Sequence, residues 1–287
     1  MAEGQPRRRI KVALTAFPDR YILPSKPAAA SPIVQDAYRQ TQFLLGNDLL
    51  LFGRVMNLQL AFVSANAKAR TPAAAAVLSF WSRTFSQLAD AATLMTLGSY
   101  SSCAPLLRSA LDCLAVQRGL ARDGFDDYEE WLDGAISQVK AHAAVAFDIG
   151  RYRAASVLAE DERLGPLYRL LTDLSMPHFG STALQTGSDS NLQKLSLGFG
   201  DSAFHLGWAE LITGWLLTIS SAQVDAVASS DVMTVDSAAQ KEIANLNRDI
   251  RVALESARRC YVKEVDGRFL FHNFRRKSGG VPRRVML

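Results

Sequence analysis

The sequence predicts an all-α fold, a multi-helix bundle of about seven or eight helices closed by a small C-terminal β-hairpin. Three observations carry this. Long segments repeat apolar residues at three- and four-residue steps, as amphipathic helices do. Strands and helices do not alternate, so a parallel α/β sheet is not expected. A single Asp-Gly pair, Asp266-Gly267, stands between two β-prone runs, the strongest short-range hairpin signal.

The elements follow in order. Residues 1–35 are rich in Pro and Ala and read as an irregular basic arm, with one short strand where Ile10, Val12, Leu14 and Ala16 alternate. From about Pro32 a helical period runs for some thirty residues. The next helix opens at Thr71-Pro72, an N-cap followed by proline at the first helical position, and stops at Gly98. Ser101 or Ser102 is expected to cap the helix after it, with Pro105 in its first turn, where a missing N–H costs little. Asp126 and Glu129 have capping-box spacing, and "ERLGPLYRLLTDLS" reads as a helix ending at Pro177. The Gly/Ser-rich stretch "QTGSDSNLQKLSLGFGDS" is too irregular for a helix. Helices are expected again from about Ala203 to Ala228 and from a Ser237–Gln240 capping box. The latter carries Ile243, Leu246, Ile250, Leu254, Ala257 and Tyr261 on one stripe. The domain reading is thus an arm over 1–35, one helical domain over 36–265, and the second hairpin strand with a basic tail over 266–287.

The chain has 287 residues, 48% of them hydrophobic and 21% charged, ample for a buried core and unlike a disordered chain. Its net charge of +4 is unevenly spread. From residue 268 onward Arg268, Arg275, Arg276, Lys277, Arg283 and Arg284 face no acid. With +6 there and +4 in the first 27 residues, the body between carries −6. The basic ends read either as solvated tails or as arms for a phosphate backbone, and the six C-terminal basic residues are weak candidates for nucleic-acid contact.

No uninterrupted apolar run reaches the ~18 residues of a membrane span, and no signal peptide is evident, so a cytoplasmic protein without a membrane partner is expected. Cys103 and Cys113 lie roughly 15 Å apart on one helix, too far for a disulfide. The sequence holds no C-x-x-C, H-E-x-x-H, Walker A, G-x-G-x-x-G or G-x-S-x-G motif. Neither metal nor cofactor is expected, and the catalytic residues, if any, are not identified. His142, His178, His205 and His272 are widely scattered; His205 reads as a core or helix-start residue.

The segment "GSYSSCAPLLRSALDCLAVQRGL", Gly98 to Leu120, is the informative one. It is apolar on nearly every side, yet Arg108 and Asp112 lie one turn apart on a narrow stripe with Ser101, Pro105, Ala115 and Gly119. A plain intrahelical pair is a weak reading, because the acid follows the base. The pair is either the neutralised anchor of a buried network or a pocket for an anionic group. His178, in the turn after a helix, is expected to fold over this stripe, giving a candidate ligand-binding cluster of Arg108, Asp112 and His178.

Gly98, Tyr100, Ala104, Leu106, Leu107, Arg108 and Ser109, followed by Asp112, resemble the G-y-x-x-A-x-x-L-L-R-S-L-x-E helix of bacterial helical families of unassigned function, similar to the HEPN superfamily. Ser175 and His178 resemble the S-x-x-x-H segment that follows downstream. The resemblance spans roughly Thr71 to Ala228. It implies an all-α fold and an RNA-directed role in bacterial defence or stress. The HEPN ribonucleases carry an arginine and, five to seven positions on, a histidine, which together serve proton transfer and phosphate binding. Here the nearest pair is Arg268 and His272, four apart on an expected strand. The reading reached is therefore a non-catalytic helical protein that binds a protein partner or a small anionic ligand through a buried Arg108–Asp112–His178 cluster, and pairs with a second copy of itself if an apolar helix face stays uncovered. The alternative is a HEPN-like ribonuclease or RNA-binding protein.

Overall fold

The computed structural model describes residue 14 and residues 16–68, 71–132, 154–187, 190, 194–256, 259–273 and 283–286. Its helices are α1 (Pro32–Ala65), α2 (Pro72–Thr96), α3 (Cys103–Arg122), α4 (Ala154–Leu158), α5 (Leu164–Ser175), α6 (Phe179–Thr186), α7 (Leu206–Ala228) and α8 (Ser237–Leu254). Residues 126–132 are also helical. The strands are β1 (Tyr261–Val265), β2 (Arg268–Asn273) and β3 (Arg283–Met286). This is an all-α bundle with a small C-terminal antiparallel hairpin. Of the strand expected over 10–16 only residues 14 and 16 are described, neither of them in a strand; most of the helix expected beyond residue 132, and His142, lie outside the described residues.

Helix α7 is the axis of the bundle. Ile212, Leu216, Leu217 and Ile219 are fully buried, and α1, α2 and α3 pack around it. By length and composition α1 and α7 could each cross a bilayer, although neither contains the uninterrupted apolar run sought in the sequence. Within this fold 78% of the apolar window of α7 and 50% of that of α1 are covered by protein. Two buried pairs link helices inside the core: Trp81 Nε1 donates to Gln59 Oε1 at 2.7 Å, and Gln223 Nε2 to Gln117 Oε1 at 2.9 Å, while Gln223 Oε1 has no hydrogen-bond partner among the described residues.

Several helix ends differ from expectation, each for a local reason. Thr71 caps α2 as expected, accepting from Ala74 N. Neither Ser101 nor Ser102 caps α3; a 3₁₀ turn over Tyr100–Ser102 feeds straight into it, and Ser102 makes no capping bond. Asp126 is the first helical residue rather than a cap, because Phe125 takes the cap position at φ 66°. Asp236, not Ser237, caps α8 by accepting from Ala239 N at 2.7 Å. The stripe of α8 ends at Leu254; Tyr261 already belongs to β1 and Ala257 lies outside the described residues. Helix α6 was not expected at all. It begins where His178 Nδ1 accepts from Gly180 N and Ser181 N, a capping role usually given to Ser, Thr, Asp or Asn.

Asp266 and Gly267 form the two-residue hairpin turn with φ 51° and 70°, the doubly left-handed geometry that Asp-Gly favours. The basic tail is not wholly irregular: residues 283–286 add a third strand, pairing Arg284 with His272 and Arg283 with Asn273. The sheet leans on the bundle through Phe269 and Phe271, the latter 6.1 Å from Trp208 between ring centroids. Gly98, at φ 78°, lets the loop before α7 pass close by: a Cβ there would collide with the carbonyl of Ser202.

Candidate functional site

The stripe on α3 faces α5, the helix that carries Tyr168 and Thr172 one turn apart. Arg108 Nε donates to Thr172 Oγ1 at 3.1 Å, and one terminal nitrogen donates to the Tyr168 hydroxyl at 3.1 Å. The other terminal nitrogen lies 3.3 Å from Asp112 Oδ2. Asp112 also acts on the Tyr168 phenol, so guanidinium, phenol and carboxylate gather at one edge. The guanidinium carbon sits 5.5 Å from the centre of the Tyr168 ring, within cation–π range. Burial, then the Asp112 carboxylate, push the Tyr168 phenol above its ordinary value against the opposing pull of Arg108. The side chains of Arg108 and Asp112 remain 29% and 31% exposed, so this is a half-open edge rather than a sealed core pair. Two of the five guanidinium N–H donors are hydrogen-bonded, to Thr172 and Tyr168, and the remaining terminal nitrogen faces Asp112 as an ion pair.

His178 does not join this cluster. Its Nδ1 is committed to the first turn of α6 and the residue is exposed. The expected triad is thus a pair extended by Tyr168 and Thr172, which the sequence reading missed. Their spacing of four on one helix face was the available signal, but nothing local said which helix would oppose α3. Asp112 also lowers the attraction of this edge for a bare anion, since its carboxylate stands beside the guanidinium.

Arg268 is exposed at the start of β2. The backbones of Arg283 and Arg284 are fixed in β3, whereas Arg275, Arg276 and Lys277 lie outside the described residues. His272 is buried and stacks on Tyr261, with centroids 4.3 Å apart and planes at 11°, turned away from solvent chemistry. Cys103, Cys113 and Cys260 are free and buried, and burial pushes the Cys103 thiol far up. Among the described residues no three His, Cys, Asp or Glu side chains gather as metal ligands do.

Among the described residues the most enclosed ion pair lies elsewhere. Arg259, 10% exposed, binds Asp48 of α1, 17% exposed, and its other terminal nitrogen donates to the Glu210 carbonyl at 3.0 Å. Gly214 of α7 lies beside it, and a Cβ there would stand at ordinary contact distance, 3.6 Å from Arg259 Nε and 3.4 Å from Leu254 Cδ2. Sequence reasoning missed this pair, whose partners are 211 residues apart.

Comparison with protein-family models, with curated proteins and with solved structures gives no match.

Proposed function

We propose that this chain is a non-catalytic helical interaction protein that docks a protein partner on its α5–α6 side. The observation that carries the reading is a concentration of uncovered apolar side chains. Phe179 and Phe199 are essentially fully exposed, and Met176, Leu195 and Leu197 are each more than half exposed, all within residues 176–199. The 195–198 segment is tied to α6 by the bond from Gly198 N to Thr186 O at 2.7 Å. Solvent-facing apolar groups at this density mark contact surfaces. The Arg108–Asp112 edge, held by α5 next door, supplies a paired donor and acceptor suited to a neutral polar partner such as a peptide backbone.

A second copy of the chain is the partner that fits best. Residues 176–199 include only Asp189 and Lys194 as charged residues, so the surface complements itself. Sedimentation velocity over a range of concentrations tests this. Wild type is expected to sediment as a dimer, and Phe179→Ser combined with Phe199→Ser as a monomer. A wild-type chain that stays monomeric at every concentration would sink the reading.

The alternative, an RNA-binding protein of HEPN-like kind, draws on the exposed Arg268 and on Arg283 and Arg284 in β3 beside β2. It requires RNA affinity that falls steeply with salt and is lost when residues 274–287 are removed. No binding at low salt would exclude it.

A further inference from the structure

A cavity of about 260 Å³ lies between α5, α7 and the first two strands. Its walls are apolar and aromatic, with Trp215 from α7, Tyr261 from β1 and Phe269 from β2, over a floor that includes Leu167, Leu170 and Leu211. Four charged residues reach it: Arg163, Glu210, Arg259 and Glu264.

Charge accounting separates one of the four from the rest. Arg259 is neutralised by Asp48. Arg163 lies 3.6 Å from Asp225, and Glu264 pairs with Arg169 at 2.7 Å. Among the described residues Glu210 has no such counter-charge. Its carboxylate Oε2 accepts the Cys260 backbone N–H at 2.8 Å, and the arginine next to it binds the Glu210 carbonyl instead. A half-buried carboxylate that accepts one backbone amide, in a cavity lined by three aromatic side chains, favours a positive charge on an apolar body: the carboxylate attracts the charge and the aromatic walls take the rest.

From this juxtaposition we infer that the cavity is a binding site for a small organic ammonium ion with an apolar body. The Glu210 carboxylate holds the ammonium, and Trp215, Tyr261 and Phe269 hold the apolar part. The volume is below that of drug-sized pockets, roughly 300 Å³ and upward, which restricts the ligand to about the size of a single-ring amine. An anion is disfavoured, because both arginines at the wall are already paired.

Isothermal titration calorimetry of the full chain with benzylammonium chloride, and with benzyl alcohol as its uncharged counterpart, tests the assignment. Benzylammonium is expected to bind at millimolar concentration or below, with the alcohol weaker by about tenfold or more. Glu210→Gln keeps an oxygen for the Cys260 N–H and is expected to abolish the preference for the cation. Thr218→Trp, at the cavity wall, is expected to block both ligands while circular dichroism reports an intact helical fold. Should Glu210→Gln fail to fold, the Thr218→Trp result decides. Absence of benzylammonium binding, equal affinity for the alcohol, or undiminished binding in a folded Glu210→Gln or Thr218→Trp variant would overturn the site.

Discussion

Arg108 and Thr172 are 64 residues apart in sequence, and a 3.1 Å hydrogen bond joins them across the α3–α5 contact. With Tyr168 and Asp112 this bond gives the charged pair in the middle of α3 its partners. Because the arginine keeps 29% of its side-chain exposure, the network is worth less than a sealed one.

Arg108→Ala should therefore destabilise the fold by roughly 1–3 kcal/mol, the loss of two side-chain hydrogen bonds from a charged donor partly offset by solvent. Urea unfolding followed by circular dichroism measures it. A loss beyond this range would mean that the pair is structural first and an interaction edge second.

Arg259→Ala should cost more, about 3–5 kcal/mol, because it strands Asp48 in a site that is only 17% exposed. The same unfolding experiment ranks the two variants. Equal losses would contradict the burial difference between them.

The Tyr21 hydroxyl is buried without a hydrogen-bond partner among the described residues, while its ring packs edge-on against Phe52 and Phe85. Burial, helped by the Asp90 carboxylate, pushes its phenol up to about 12. Tyr21→Phe removes the unpaired group and keeps the ring, so stability should rise or stay within about 1 kcal/mol of wild type. A raised phenol pKa means stability that is complete below the unfolded value, near 10, and is lost as pH climbs toward 12. Alkaline titration of the unfolding midpoint should show that loss in wild type and a smaller one in the variant.

Burial alone would push the Asp161 carboxyl up, but the Leu164 N–H, the Arg118 guanidinium and the Arg163 N–H together hold it below its ordinary value. Stability from this group is present above the ordinary carboxyl range, about pH 4, and is lost as pH falls through the lower folded value. Asp161→Asn keeps a capping oxygen for α5 but cannot titrate. Its stability should fall less steeply than that of wild type on acidification below about pH 5. Parallel curves would rule out this carboxylate as a contributor to acid sensitivity.

The helices and the hairpin were legible because their signals are local: Thr71-Pro72 at a start, Asp266-Gly267 at a turn, Ile243, Leu246 and Ile250 on one stripe. Arg108 and Asp112 were legible as a pair for the same reason. What could not be read depends on distant partners. Nothing near Arg108 names Tyr168 or Thr172, and nothing near Asp48 names Arg259. His178 failed as a site residue because a turn after a helix has two uses for an imidazole, and the backbone of α6 took it first. Strand β3 was hidden because its four residues carry no turn signal of their own and need β2 as a template.

The contact from Arg259 to Asp48 and to the Glu210 carbonyl ties the first helix to the segment that leads into the last sheet. A latch placed there makes the two extremities of the bundle let go together. Amide protons in α1 and β1 should then exchange with solvent as one cooperative unit, and cutting the chain before residue 259 would loosen the N-terminal helix as well as the sheet.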